Sequence, residues 1–420
     1  MEQGKLNVRT TVYLSFGFLA TSLAWSLYNA MVPQILETFT KSAGLIGVIM
    51  VFDNIAGLVL EPTFGVLSDR TRTRFGRRVP YLMVGIPLAA LVLILIPLQK
   101  SLVPLVIVLA LFCLIMAAWR TPVVSLMPDL TPGPLRSQAN GIVNMMGGVG
   151  ALIAFGVGGA LLTLGGFELP FLVAAFVLLL ALAVILTKVK EPTRAFEPDA
   201  EKPTITLTRP EWKSLLLILF AIFFWFVGYN AVETFFTLYA KNSLGVSGGV
   251  ATMLLGVYSV AFLAFAVPAG YIGAKFGRRK TILVGLGGVT ITFLPMLLLN
   301  AGVVLTVICL LIGGVFWACV NINSLPMVVR IGGDRLIGTF IGMYYLFSFS
   351  AQIASPPSVG ALIDFTGRHG LAFIPADDNY RVLFLWSCAA FAIAFVILSF
   401  VRHGEDDQTS AAEVMAGLGG

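Results

Sequence analysis

Long apolar segments, separated by short polar breaks, follow one another along the whole chain. A transmembrane helix needs about 20 consecutive, predominantly apolar residues. Twelve segments reach this length, and Gly and Pro are frequent within them, as transmembrane helices tolerate. They lie at residues 10–36, 43–68, 79–98, 102–128, 136–166, 169–188, 212–240, 247–274, 280–299, 302–329, 336–364 and 380–401. The pattern predicts an all-α membrane protein with twelve transmembrane helices.

Composition supports this interpretation and excludes two other classes of protein. The 420 residues are 58% hydrophobic and 11% charged, whereas an average soluble domain is about 25% charged. The formal net charge of +6 does not indicate a nucleic-acid-binding protein. Such proteins cluster Lys and Arg on one exposed face, and here the basic residues lie in the gaps between apolar segments.

The residues that carry enzymatic or metal chemistry are sparse. The four cysteines all fall within apolar segments and form no Cys-x-x-Cys pattern, so we interpret them as small buried hydrophobes. They are Cys113, Cys309, Cys319 and Cys388. No pairing of a nucleophile with a base is evident either, and the sequence therefore predicts no enzyme, no metal site and no cofactor.

The distribution of basic residues predicts the orientation in the membrane. If the N-terminus is cytoplasmic, 21 of the 27 Lys and Arg residues lie on the cytoplasmic side and five lie outside, with Arg120 inside a span. Cytoplasmic loops carry such an excess of basic residues. We therefore expect a multi-pass protein of the plasma membrane or bacterial inner membrane, with both termini in the cytoplasm.

The two halves of the chain repeat. Three tripeptides recur 201 positions later, in three different spans or loops, and together they indicate an internal duplication. They are Tyr28-Asn29-Ala30 with Tyr229-Asn230-Ala231, Gly76-Arg77-Arg78 with Gly277-Arg278-Arg279, and Gly159-Ala160-Leu161 with Gly360-Ala361-Leu362.

The repeat divides the chain into two six-helix bundles. We predict an N-terminal bundle at 1–189, a cytoplasmic linker at 190–210, a C-terminal bundle at 211–403 and a flexible cytoplasmic tail at 404–420. The linker contains several charged residues and prolines, beginning with Glu191 and Pro192. We expect it to be solvated.

Two parallel six-helix repeats resemble the architecture of the major facilitator superfamily, whose members bind their cargo near the bilayer midplane between the halves. The stretch from Gly65 to Arg70, followed by Gly76-Arg77-Arg78, resembles the superfamily's signature after its second helix. Residues 270–280 resemble a second copy in which Ala274 replaces the aspartate.

Within that superfamily the chain resembles the glycoside-pentoside-hexuronide:cation symporters, especially their sucrose:proton branch. The long loop from Asp69 to Pro80 carries this likeness, and so does the region from Trp119-Arg120 through Asp129 to Asn140. The resemblance implies a monomeric transporter of sugars or glycosides that is surrounded by membrane lipid and works by alternating access.

The resemblance also implies a conformational latch on the cytoplasmic side. The residues assigned to it are Gly65, Asp69, Arg70, Gly76, Arg77, Arg78, Asp129 and Arg136. They would hold that side closed in one state and release it in the other. The alternative is that these charges only set the topology.

Four ionisable residues lie well inside spans, where each costs about 2.5–3.5 kcal/mol on insertion scales. They are Asp53, Glu61, Arg120 and Glu233. At 1.5 Å per residue, Glu61 and Arg120 lie about 12 Å and about 13.5 Å from the cytoplasmic ends of their spans. Their similar depth predicts an ion pair, whose alternative role is a purely structural lock between two helices.

The coupling ion is expected to be a proton. In sodium-coupled relatives, the resemblance implies, carboxylates stand where this chain has Gly57 and Arg120. That departure favours protons over sodium, with Arg120 as a fixed internal cation. Asp53 or Glu233 would then bind and release the proton, since desolvation disfavours the charged form of a carboxylate. A packing hydrogen bond is the alternative role for each.

Sugar recognition needs aromatic faces together with amide and hydroxyl groups. The spans supply candidates of both kinds, and the amides are the stronger ones because an unsatisfied amide in lipid is costly. The candidates are Trp25, Tyr28, Asn29, Trp225, Tyr229, Asn230, Asn323, Tyr344 and Gln352. The alternative is that the aromatic rings only pack against lipid or neighbouring helices.

These features predict a secondary active transporter that carries a sugar or glycoside together with protons. Efflux or facilitated passage of another small solute is the alternative within transport. A membrane sensor that retains the fold without transporting is the alternative outside it.

Overall fold

The computed structural model describes residues 6–132, 135–191, 208–299, 302–332, 337–371 and 373–401. The predicted tail at 404–420 and most of the predicted linker lie outside these residues.

Helices account for nearly all of the described chain. They are α1 (Val8–Glu37), α2 (Ala43–Met50), α3 (Phe52–Arg70), α4 (Val79–Leu95), α5 (Leu102–Leu130), α6 (Arg136–Leu152), α7 (Gly158–Gly165), α8 (Glu168–Lys188), α9 (Arg209–Asn242), α10 (Gly248–Phe276), α11 (Arg278–Leu298), α12 (Val303–Gly332), α13 (Ile337–His369) and α14 (Val382–Ser399). A π-helical turn at Ile153–Val157 joins α6 to α7, and a 3₁₀ helix at Ala376–Arg381 leads into α14.

Each of the twelve predicted apolar segments corresponds to one helical run, which confirms the all-α prediction. Nine stretches of the described chain are long and apolar enough to cross a membrane, and α4 is a shorter apolar helix. The other two runs, α1 and α13, carry many polar side chains.

Two runs are interrupted in ways that the apolar pattern does not reveal. Val51 separates α2 from α3, two residues before Asp53. The π-helical turn at Ile153–Val157 interrupts the fifth run, and such turns occur often at functional sites. Interruptions of this kind preserve hydrophobicity, so composition alone could not have placed them.

The chain forms two compact units. The first consists of Met1–Ala200 with Val246–Gly256, and the second of Glu201–Gly245 with Val257–Gly420. The first turns of α10 therefore belong to the first unit. There the Gln34 side-chain amide donates to the Thr252 hydroxyl at 3.1 Å. A Cβ atom on Gly159 would lie 2.7 Å from the Gly249 carbonyl oxygen, so the two backbones touch.

Each unit has an aromatic interior. Trp119, Tyr28, Phe112 and Phe171 are fully buried in the first unit. The second unit buries Trp225, Tyr239, Phe235, Phe236, Phe293, Phe340, Phe384 and Phe391. The four cysteines are buried and free, as predicted.

Candidate functional site

The predicted ion pair between Glu61 and Arg120 is present. The Arg120 guanidinium donates to the Glu61 carboxylate, which ties α5 to α3. The two side chains are 34% and 21% exposed. One turn beyond Glu61, a Cβ atom on Gly65 would lie 3.2 Å from the Thr121 methyl group. The glycine therefore allows the close approach of the two helices beside the pair.

Asp53 lies in the first turn of α3, within electrostatic range of one polar group on α1 and one on α5. Its carboxylate accepts hydrogen bonds from the Asn54 backbone and side chain, at 2.6 and 2.7 Å. It also interacts electrostatically with the Tyr28 hydroxyl and the Cys113 thiol. The Cys113 thiol in turn donates to the Tyr28 hydroxyl oxygen at 3.8 Å.

An aromatic stack holds Tyr28 in place. Its ring stacks on Phe112 with centroids 5.6 Å apart, and Trp25 meets it edge-on at 5.6 Å. Tyr28 is fully buried, whereas Trp25 and Asn29 are half-buried. In the first unit, the half-buried groups are therefore better placed than Tyr28 to reach a substrate.

The second unit repeats this arrangement with different partners. Tyr229 stacks on Trp317 with centroids 4.4 Å apart and planes within 3° of parallel. Phe226 meets Tyr229, Trp317 and Tyr344 edge-on. Glu233 interacts electrostatically with Tyr229 and Tyr258. The repeat tyrosine of each unit thus stacks on a ring from that unit's fourth helical run and lies near a carboxylate.

Sequence reasoning missed Trp317 and Tyr258. The duplication offers no signal for Trp317, because the position 201 residues earlier is Met116. Trp317 is almost fully buried and covers one face of Tyr229. It therefore positions the tyrosine ring.

Other predicted substrate contacts lie inside the packed units. Asn230 donates to the Phe226 carbonyl at 2.7 Å, and Asn323 donates to the carbonyls of Ala269 and Cys319 at 3.0 Å. Tyr344 shares a 3.1 Å hydrogen bond with Ser324, and Trp225 is fully buried. These contacts favour the packing alternative for those residues, and their contact with substrate stays a prediction. Gln352 is half-buried on α13.

The predicted latch residues form a charged network at one end of the first unit. Asp129 accepts from Arg77 at 2.6 Å and from Arg78 at 3.0 Å. Arg78 also donates to Asp69, to the Ser68 hydroxyl and, at 3.4 Å, to the Gly65 carbonyl. Arg78 is 5% exposed. One nearly buried cation therefore joins α3, α4 and α5.

Two predicted latch residues take different positions. Arg136 donates to the carbonyls of Thr131 and Pro128 at 3.2 Å, so it caps the end of α5. Cations are favourable at a helix C-terminus. Arg70 is exposed at the end of α3.

The expectation that Glu191 is solvated is wrong. Its side chain is 1% exposed. Its carboxylate accepts from the backbone N–H groups of Arg78, at 2.9 and 3.0 Å, and of Val79, at 3.1 Å. The N-terminus of α4 offers unsatisfied N–H groups and a positive dipole end, which a carboxylate complements. Glu191 therefore joins the network, also lying 3.9 Å from Arg77.

Replacing Gly76 with Ala is expected to destabilise the protein by about 1–3 kcal/mol. Gly76 has a φ of +106°, which L-residues rarely adopt. A Cβ atom there would also clash with the Glu191 carboxylate. Thermal unfolding in detergent measures the effect.

The matched control is Gly141→Ala on α6, where an added Cβ has open space. That variant should be neutral, or stabilised by about 0.5–1 kcal/mol. Equal melting temperatures for Gly76→Ala and the wild type would contradict the assigned role of Gly76.

The sequence profile of the Major Facilitator Superfamily matches residues 14–356 and, in a second match, 235–416. The chain belongs to this superfamily. It is therefore an integral, multi-pass membrane protein and a transporter rather than an enzyme.

Within the superfamily, the chain is similar to transporters of several solutes. It is 23% identical to an isoprimeverose transporter of Lactiplantibacillus pentosus, over 65% of this chain and 59% of the relative. It is 25% identical to the multidrug resistance protein MdtG of Proteus mirabilis, over 92% of this chain and 94% of the relative. A sucrose transport protein of Oryza sativa, SUT1, is 30% identical over 97 residues, which are 21% of this chain and 18% of the relative. The chain thus matches less than two thirds of the length of either sugar transporter.

Solved structures share the superfamily fold. A bacterial homologue of the human lysosomal transporter Spinster, in an inward-facing and occupied conformation, gives a TM-score of 0.77 at 17% identity, over 95% of this chain and 97% of that one. The nucleoside transporter NupG gives a TM-score of 0.72 at 13% identity, over 94% of this chain and 100% of that one. At these identities the likeness concerns the fold alone.

Proposed function

We propose that this superfamily member carries a sugar or glycoside together with protons, by alternating access. The observation that carries the proposal is the Glu61–Arg120 ion pair within the spans of the first unit. An arginine stays charged at any physiological pH. Glu61 is therefore already paired with a permanent cation, and we assign the reversible protonation to Asp53 or Glu233.

Protons rather than sodium are proposed as the coupling ion. Arg120 occupies a position where, according to the resemblance, sodium-coupled relatives have a carboxylate. A guanidinium donates hydrogen bonds and cannot ligate a cation. With Arg120 at this position, the chain lacks a carboxylate that a sodium site would need.

The proposed cargo is a sugar. The isoprimeverose transporter and the sucrose transport protein are relatives named for sugars. The half-buried Trp25 and Asn29 of the first unit and the Tyr229 ring of the second have the chemistry that sugars require, namely aromatic faces with amide and hydroxyl groups. Trp317, which covers one face of Tyr229, would fix the orientation of that ring.

Uptake into proteoliposomes tests the proposal. A panel of labelled disaccharides, including sucrose and isoprimeverose, is offered under a pH gradient, a sodium gradient or neither. We expect at least one sugar to accumulate under the pH gradient alone. Accumulation driven only by sodium, or passage of every sugar at a rate independent of both gradients, would contradict proton coupling.

Replacing Asp69 with Asn is expected to slow turnover while leaving the sugar affinity nearly unchanged. Asp69 accepts a hydrogen bond from Arg78 and lies 3.8 Å from Arg77, so its charge stabilises the network that is proposed as the latch. Initial uptake rates and equilibrium sugar binding measure the two quantities. The control is Asp377→Asn, since Asp377 is exposed in the 3₁₀ helix of the other unit. If turnover is unchanged, these charges only set topology.

Efflux of an organic solute is the second candidate function. The multidrug resistance protein matches 92% of this chain, more than either sugar transporter does. Glu233 beside the rings of Tyr229 and Tyr258 also suits an organic cation, since cations bind aromatic faces. Proton-driven movement of a cationic dye, with no accumulation of any sugar, would favour efflux. Sugar binding without flux would instead support the membrane sensor.

A further inference from the structure

Each unit contains a basic residue stacked on an exposed phenylalanine, at equivalent positions of the duplication. The first unit reads Arg74-Phe75-Gly76, and 201 positions later the second reads Lys275-Phe276-Gly277. The Arg74 guanidinium lies 4.6 Å from the centroid of the Phe75 ring, and the Lys275 ammonium lies 5.3 Å from that of Phe276. The two rings are 48% and 60% exposed. The pair is thus preserved in sequence position, geometry and exposure.

The glycine after each pair separates outward-facing from inward-facing groups. Gly76 and Gly277 have φ values of +106° and +98°, a conformation that favours glycine. After these glycines, Arg78 enters the buried network of its unit, and Arg279 donates to the carbonyls of Leu398 and Ser399. Before them, the basic residue and the phenylalanine face away from their unit.

A tight turn fixes the pair in the first unit. The Gly76 N–H donates to the Thr73 carbonyl at 3.1 Å, and the Thr73 hydroxyl donates to the Gly76 carbonyl at 2.7 Å. Arg74 and Phe75 lie at the tip of this turn. The exposed cation and ring are therefore held in a defined place, whereas a surface side chain is usually free to move.

The chemistry of the two pairs matches the headgroup region of a membrane. Further exposed cations lie nearby, namely Arg70 and Arg72 in the first unit and Lys280 in the second. Basic clusters next to transmembrane helices attract anionic lipids. Transfer of an exposed phenylalanine ring from water into an apolar environment is favourable. An arginine or lysine can bind a lipid phosphate. A soluble anion would use the cations but leave the rings in water.

We propose that these two pairs bind anionic phospholipid headgroups, with one lipid site in each unit. Both sites are formed at the ends of apolar helical runs, after α3 and at the end of α10. In each site the cation binds the lipid phosphate, and the phenylalanine ring lies at the boundary between the headgroup and the acyl chains.

Native mass spectrometry of the full chain tests this proposal. The purified protein is mixed with equal amounts of phosphatidylglycerol and phosphatidylcholine, and the retained lipids are counted. We expect the wild type to prefer phosphatidylglycerol. Arg74→Gln with Phe75→Ala, and separately Lys275→Gln with Phe276→Ala, should each lower that preference by about fivefold, as one cation near an anionic surface predicts. The four substitutions together should remove most of it.

The matched control removes the same residue types elsewhere. Phe365 and Arg368 are exposed near the end of α13, and Phe365→Ala with Arg368→Gln should leave the preference unchanged. Arg74→Lys with Lys275→Arg should retain it as well, which separates loss of charge from loss of structure. Wild-type preference in the fourfold variant, or an equal loss in the control, would overturn the proposal.

Discussion

Replacing Asp53 with Asn is expected to abolish accumulation of sugar against its gradient while sparing sugar exchange. Asp53 contacts Asn54 and interacts with the Tyr28 hydroxyl and the Cys113 thiol, which lie on the first and fourth helical runs of its unit. An asparagine side chain keeps the shape and the hydrogen-bonding capacity but binds no proton. The imposed pH gradient would then do no work on the sugar, and the internal concentration should rise only to the external one.

Two assays on one proteoliposome preparation separate coupling from folding. Uphill uptake is measured under a pH gradient, and counterflow is measured between two pools of the same sugar. Only uphill uptake should fail in Asp53→Asn. The matched variant is Glu233→Gln in the second unit, where the carboxylate lies near Tyr229 and Tyr258. If Asp53→Asn still accumulates sugar while Glu233→Gln does not, the proton site is Glu233.

Breaking the Glu61–Arg120 pair on one side is expected to cost both stability and transport. Removing one partner of a fully buried ion pair costs about 3–5 kcal/mol, because the other charge stays buried alone. Arg120 and Glu61 are 34% and 21% exposed. Solvent screening should therefore reduce the cost to about 1–3 kcal/mol for either single variant. Thermal unfolding in detergent and uptake by proteoliposomes measure the two effects.

The double variant distinguishes a structural lock from a functional charge. Glu61→Gln together with Arg120→Gln leaves no lone charge, so much of the stability should return. If Arg120 is the fixed cation of the proposal, coupling to the pH gradient should remain impaired in this stable protein. Full recovery of uphill transport and of its pH dependence would show that the pair is only structural.

The sequence predicted the fold because hydrophobicity and duplication are both linear patterns. The apolar segments gave the helical runs, and the offset between Gly76 and Gly277 located the turns that precede the inward-facing arginines. The Glu61–Arg120 pair could be predicted from depth alone, since both residues lie at similar distances from the same boundary. These features depend on spacing along the chain.

Other features depend on contacts that spacing does not encode. Glu191 binds backbone groups of residues 78 and 79, more than 100 positions earlier, and its charged surroundings in the sequence suggested a solvated linker. Trp317 packs on Tyr229 from a distant helix, and its counterpart in the duplication is Met116. Asn323 has the chemistry of a substrate ligand, yet its amide joins α12 to α10. For all three, long-range packing decides the role of the side chain.

Proton coupling can be measured directly as the movement of protons upon addition of sugar. De-energised proteoliposomes with no ion gradient are given a transported disaccharide while the external pH is recorded in weakly buffered medium. Proton-coupled symport predicts that the medium becomes more alkaline as sugar enters, that a protonophore abolishes this change, and that Asp53→Asn or Glu233→Gln lacks it. Entry of the sugar with no change in external pH would contradict proton-coupled symport.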